Sequence, residues 1–265
     1  MLNNEHIPSL VSAAWLQKAL QENDNLIVLD ASWHMPAAKR DGEQEWRSKR
    51  IPNAQFFDFD RRICDHDANL PHMMPDAALF SSEAQRLGIK QDSLVVIYDS
   101  YGIQTSPRAW WMMKAMGFSN CAILDGGLPA WKAAGFTIET DEPESAHNGS
   151  GNFEASMISA SHEVLLATTA PDVRILDARS ADRFYGRAPE PRAGLRGGHM
   201  PGAYNLPFDQ LIANGHMRPV AELQAAFTSC VIAFAAHLAG YSDISIYDGS
   251  WSEWGAGDAL PVTTA

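Results

Sequence analysis

Cysteine is scarce in this chain of 265 residues. Cys64, Cys121 and Cys230 stand far apart, without the paired short spacings that a zinc site or a disulfide framework requires. Basic charge is scarce as well: 20 Lys and Arg face 32 Asp and Glu, a formal net charge of −12, which argues against nucleic acid as a partner because its phosphates select a basic face. An anionic ligand must then be held by a local basic cluster against the overall field. No apolar run approaches the roughly 20 residues of a membrane span, and the start Met1-Leu2-Asn3-Asn4-Glu5 has neither the basic end nor the apolar core of a signal peptide. The expectation is a cytoplasmic protein without a membrane partner or a metal. Its 46% hydrophobic and 20% charged residues are those of a globular protein.

What the chain does have is an internal repeat. Asp30, after the apolar run Leu26 to Leu29, matches Asp177 after Arg174 to Leu176 at an offset of 147, and Ile51-Pro52-Asn53-Ala54 matches Met200-Pro201-Gly202-Ala203 at 149. Gly117-Phe118, Asp125-Gly126 and Trp131 match Gly240-Tyr241, Asp248-Gly249 and Trp254, all at 123. The second copy is therefore 26 residues shorter between these landmarks. Pairing Pro75 with Pro219, at 144, places 21 of the lost residues between Pro219 and Val231. There two apolar helical segments, Ala221 to Phe227 and Val231 to Ala239, are joined by Thr228-Ser229-Cys230 alone. The same interval of the first copy holds Ser93-Leu94-Val95-Val96-Ile97-Tyr98-Asp99, the loop Ser100 to Thr105 and a helix start at Ser106-Pro107, read as an N-cap followed by proline in the first turn.

Periodicity along the first copy alternates between the two element types. Helices are expected over 12–20, 44–49, 77–87, 107–116 and 129–134, and strands over 26–29, 54–57, 94–98 and 122–124. This alternation predicts an α/β protein of two like domains, each a mainly parallel sheet covered by helices on both faces. Residues 1–138 make the first domain, 139–152, acidic and rich in Pro, Ser and Gly, a linker, and 153–265 the second. Removing a buried central strand strips the neighbouring strands and both helix layers of a partner. The short second copy therefore reads as a domain from which some 21 residues are omitted.

Several stretches carry a family likeness: Leu29-Asp30-Ala31-Ser32-Trp33, Phe56-Phe57-Asp58-Phe59-Asp60, Pro71-His72-Met73-Met74-Pro75, Ser106-Pro107-Arg108-Ala109-Trp110-Trp111, Asp125-Gly126-Gly127-Leu128, Asp177-Ala178-Arg179 with Arg183-Phe184, Glu190-Pro191-Arg192, Gly198-His199-Met200-Pro201-Gly202-Ala203 and Tyr247-Asp248-Gly249-Ser250-Trp251-Ser252-Glu253-Trp254. Running nearly end to end, they resemble the tandem rhodanese-type sulfurtransferases, most closely the 3-mercaptopyruvate sulfurtransferases. The resemblance implies a catalytically silent first domain, with Asp99 near the position of the nucleophile. In the second domain it implies a cysteine at the start of a six-residue loop between strand and helix. A thiolate ringed by backbone N–H groups at a helix N-terminus has a depressed pKa and takes a sulfane sulfur as a persulfide, then passes it to a thiol or cyanide. On that reading the chain moves sulfur from 3-mercaptopyruvate to a thiol acceptor, such as a reduced thioredoxin-like protein or a small thiol, and releases pyruvate. No cofactor is needed.

The second copy departs from the family at this point, because Cys230 runs straight into Val231. Cys230 is the nucleophile with residues missing on both sides, or the cysteine that follows the loop in the family, or the end of the preceding helix with no role. A single missing block favours the second of these. Arg183 and Arg192, nine apart on a loop bearing Gly186 and Pro189, either hold one small carboxylate ligand in bidentate fashion or sit solvated beside Glu190 and Asp182. The resemblance gives them the donor's carboxylate and keto group. It gives Asp60 and His72, which flank the loop Arg61 to Pro71, an acid-base relay with a loop serine; the alternative is a cap by Asp60 and an exposed His72. His199 is expected to be structural, and Cys64 and Cys121 to be inert thiols. Rival functions are a thiosulfate sulfurtransferase, a phosphatase-like relative with a larger loop and, if the chain is whole as it stands, a catalytically inactive tandem module that binds partners or anions.

Overall fold

The computed structural model describes residues 7–142, 149, 158–223 and 229–264. The chain divides into two compact units, Met1–Asp67 with Met74–Ser156 and Asn214–Met217, and Ala68–Met73 with Met157–Ala213 and Arg218–Ala265.

The first unit runs β1 (Leu10–Val11), α1 (Ala13–Glu22), β2 (Leu26–Asp30), α2 (Gly42–Ser48), β3 (Gln55–Phe56), α3 (Ala77–Arg86), β4 (Leu94–Tyr98), α4 (Ser106–Ala115), β5 (Cys121–Leu124) and α5 (Gly127–Ala133). Its five strands lie in the order β1-β5-β4-β2-β3, each pair parallel. β4 is buried at all five positions, as an unbroken apolar run covered on both faces should be. Three helices begin where the sequence supplies an acceptor: Ser12 accepts from the Trp15 N–H, Asp41 from Gln44 and Asp76 from Leu79, each satisfying a first-turn donor. α4 departs from expectation. Its cap is Thr105, and Ser106 is already helical, because the Ser106 hydroxyl donates to Asp99.

The second unit runs β6 (Ile158–Ser159), α6 (Ser161–Ala167), β7 (Leu176–Asp177), α7 (Ala181–Phe184), β8 (Tyr204–Asn205), β9 (Ile212–Ala213), α8 (Val220–Leu223), α9 (Ser229–Leu238), β11 (Ile246–Tyr247) and α10 (Ser250–Trp254), while β10 (His216–Met217), next after β9 in sequence, belongs to the first unit. Its strand pairs copy those of the first unit in register. Ile158 faces Ile246 as Leu10 faces Ile123, and Leu176 faces Tyr204 as Leu29 faces Gln55. The bridge His199–Thr263 likewise repeats Arg50–Glu139, and Trp254 donates to Pro261 O as Trp131 does to Thr137 O.

One strand has no counterpart among the described residues. In the first unit β4 pairs with both β2 and β5; among the described residues of the second, β6-β11 and β7-β8 are separate two-stranded pieces. Burial records the loss. Leu29 is fully buried, whereas Leu176, its copy, is 37% exposed. The expected helix over 221–227 is seen as α8, and its remainder with Thr228 lies outside the described residues, as does most of the expected linker 139–152.

Candidate active site

In the first unit the chain leaves β4 at Asp99, which is fully buried, and turns through the loop to α4. The Asp99 carboxylate accepts the backbone N–H groups of Tyr101, Gly102, Gln104, Thr105 and Ser106 and the Ser106 hydroxyl. Successive N–H groups converging in this way form an anion cradle at the head of a helix. Here the loop's own side chain fills it. Gly127 lies against the same loop: a Cβ there would meet Asp99 O at 2.3 Å and Gly102 O at 2.6 Å.

α9 copies α4 at an offset of 123, residue for residue from Ser229 on Ser106 to Leu238 on Ala115. In that register Cys230 stands on Pro107, inside the first turn of the helix and eight residues past the position of Asp99. The residue is half-buried and outside any disulfide, and Val231, Ile232, Ala233, Phe234 and Ala235 behind it are buried.

The second unit carries the arginines. Arg183, at the end of α7, directs Nε and Nη2 at Oε2 of Glu190, at 3.1 and 2.5 Å. Arg179 directs Nη1 at the other oxygen of the same carboxylate, at 2.8 Å. Arg179 also grips Asp177 and Gly198 O and stacks over the Trp251 ring at 3.9 Å. The Glu190 side chain is 1% exposed, against 31% for Arg183. The loop is thus closed by a buried acid two residues before Arg192, itself exposed, with Nη1 donating to the Ser252 hydroxyl. Asp182 turns away to Arg187. Glu190 as a solvated neighbour is corrected on this point: the two guanidiniums that bracket it shield it from water. Arg179 and Ser252 both lie in stretches that carry the family likeness, Asp177-Ala178-Arg179 and Tyr247 to Trp254, but the sequence alone assigns neither a role.

Asp60 and His72 fall in different units. The loop cap expected at Asp60 is made by Asp58, whose Oδ1 accepts the N–H groups of Asp60 and Arg61; Asp60 Oδ2 lies 3.9 Å from Arg61 Nε. His72 is half-buried and holds φ at 63°, in the left-handed region that His enters more readily than most side chains. His199 is buried, stacks on Phe184 at 3.6 Å and bonds its carbonyl through Nδ1, a structural use. Burial pushes the Cys121 thiol up to about 12 and raises that of Cys64, the opposite of the depression that a reactive thiolate calls for. Among the described residues no helix is long and apolar enough to cross a membrane.

The rhodanese-like domain family matches residues 12–134 and 161–256. The 3-mercaptopyruvate sulfurtransferase of Mus musculus is 35% identical over 272 positions, covering 93% of this chain and 91% of that protein. That of Escherichia coli is 34% identical over 275, covering 95% and 96%. Each match runs over roughly two dozen more positions than the residues this chain contributes to it. A mitochondrial thiosulfate/3-mercaptopyruvate sulfurtransferase of Arabidopsis thaliana is 35% identical, covering 96% of this chain and 77% of its own length. Among solved structures, SseA of Escherichia coli, described as a 3-mercaptopyruvate sulfotransferase of rhodanese fold, superposes with a TM-score of 0.81 at 31% identity over 93% of this chain and all of that one. Tum1 of Saccharomyces cerevisiae gives 0.85 at 26%, over 97% and 99%.

Proposed function

The chain belongs to the rhodanese family of sulfur-transferring enzymes, and from that premise we propose that it takes sulfur from 3-mercaptopyruvate and hands it to a thiol. The observation that carries this reading is the arginine pair, Arg183 and Arg192, set on one loop of the second unit with Arg183 braced from behind by a buried carboxylate. A planar guanidinium matches a carboxylate, and a second one suits the adjacent keto oxygen. In the proposed reaction a cysteine thiolate attacks the donor sulfur, the carbon–sulfur bond breaks, and the enolate of pyruvate leaves and takes up a proton. The acceptor thiolate then attacks the outer sulfur, forming its own persulfide and returning the enzyme thiolate. Asp60 and His72 serve as the proton relay. The first unit is a silent scaffold, since a carboxylate occupies its cradle where a persulfide would sit.

Cys230 is the cysteine this chain offers to carry the sulfur. A second reading rests on its register with Pro107: the nucleophile then belongs to a strand-and-loop segment absent between Phe227 and Val231, and the two dozen unmatched positions of the relatives support it. The acceptor is a small thiol or a reduced thioredoxin-like protein. Cysteines held as thiols suit the cytoplasm. Pyruvate release from 3-mercaptopyruvate in the presence of a thiol tests the function, and Cys230→Ser tests the residue. Loss of release on that substitution assigns the sulfur to Cys230, and unchanged release removes Cys230 from the reaction. No pyruvate from the unmodified chain leaves the inactive, anion-binding module.

A further inference from the structure

Glu190 is an odd residue to bury in a site that must hold an anion. A carboxylate taken out of water is costly unless paired and hydrogen-bonded on both oxygens, and this one is: Oε1 accepts from Arg179 and Oε2 from Arg183. A brace alone does not require an acid, since a carbonyl or an amide oxygen also orients a guanidinium. The acid changes the charge as well as the geometry. Asp177, Arg179, Glu190 and Arg183 form one linked network in which two carboxylates cancel two guanidiniums. Arg192, tied to a neutral hydroxyl, adds one positive charge to this balanced set.

We propose that Glu190 sets the charge class of the donor, trimming a three-arginine cluster to a single net positive charge so that it prefers a monoanionic 2-oxo acid to a dianion such as thiosulfate. This rests on the reading of Arg183 and Arg192 as the donor site. Glu190 touches Arg183 and acts through it, so it is a positioning and specificity residue rather than a catalytic one. A monoanion leaves the site neutral when bound, whereas a dianion leaves an uncompensated charge in a part-buried place, where Coulomb terms weigh more than in water.

The test uses the full chain and two unreactive probes, pyruvate for the monoanion and sulfate for the dianion, with binding followed by titration calorimetry. The unmodified chain is expected to bind pyruvate more tightly than sulfate. E190Q, which removes the charge and keeps the shape, should move the sulfate-to-pyruvate affinity ratio by about tenfold in favour of sulfate, the order set by one unit charge several ångströms away at the effective dielectric of such a site. E190D, which keeps the charge, should leave the ratio near its original value. A role limited to holding the loop would weaken both probes together in E190Q and leave the ratio alone, which overturns the proposal. Tighter sulfate than pyruvate binding by the unmodified chain overturns it without any variant, so a misfolded E190Q does not shelter it. If neither probe binds the unmodified chain, the donor-site reading falls and this inference with it; an unchanged ratio with both probes bound sinks the inference alone.

Discussion

Asp30 ends β2 and Asp99 follows β4 beside it, both buried, and they differ in their hydrogen-bond donors. Asp99 has its carboxylate filled with donors, five backbone N–H groups and one hydroxyl. Asp99→Asn turns a donor-bearing amide toward that cradle, and the expected loss of stability is about 3 kcal/mol, read as a lowered urea midpoint of the tryptophan signal; an unmoved midpoint would show that the cradle contributes nothing. Asp30 has fewer donors, and burial raises its carboxyl from 3.8 to about 6. Between pH 4 and pH 6 the unfolded chain ionises this group while the folded one does not, so stability falls as pH rises through that window, by up to about 3 kcal/mol, and stays low above it. Asp30→Asn should flatten that part of the stability curve, and a slope that persists in the variant would place its origin elsewhere. At the donor site, Arg192→Ala removes a charged partner of the ligand carboxylate and should raise the KM for 3-mercaptopyruvate by about tenfold to a hundredfold. An unchanged KM would remove Arg192 from the site. The residue types at these positions were readable in the sequence, because Arg183 and Arg192 share a loop with turn-forming Gly and Pro. The burial of Glu190 was not, since nothing in Pro189-Glu190-Pro191 tells whether the side chain faces water or is closed between Arg179 and Arg183.

Strands and helices of the first unit follow from pattern. The run Leu94–Tyr98 has no polar position to turn toward solvent, so it must be central, and it is. Ser12 and Asp76 cap their helices by a local rule, a short oxygen acceptor three residues before a first-turn N–H, although from the sequence Ser106 alone reads as a cap. Ser106 misled because a non-local carboxylate, Asp99, took its hydroxyl. In the second unit the repeat leads one to expect a strand missing between Pro219 and Val231, and among the described residues the two strand pairs keep the register of the first unit with no β4 equivalent. Such short pairs hold few cross-strand bonds and expose apolar side chains, the marks of a segment that opens easily. The amides of Leu176, Asp177, Ile246 and Tyr247 are expected to exchange with solvent at least about a hundredfold faster than those of Leu29, Asp30, Ile123 and Leu124 at the matching positions. Equal protection in mass-resolved hydrogen exchange would mean that the second sheet is as well supported as the first.

The molecule as a whole repeats one fold twice with unequal fates: a complete copy whose anion cradle is filled by its own Asp99, and a shortened copy that retains the arginine loop. A net charge of −12 makes that loop a local exception, built from two guanidiniums linked through two carboxylates with Arg192 exposed beside them. Sequence reasoning reached this division from spacing alone, because paired landmarks at offsets of 147, 149 and 123 fix where one copy is short. It could not place the nucleophile, because the strand and loop that would frame a cysteine are the segment the second copy lacks. The most direct test is the intact mass of the purified protein before and after exposure to 3-mercaptopyruvate, with and without a reducing thiol. Sulfur transfer through a cysteine persulfide predicts a gain of one sulfur atom that the thiol removes, with the modified peptide mapping to the region between Phe227 and Val231. A mass that does not change with this donor would contradict the account and leave a tandem module that binds anions without turning them over.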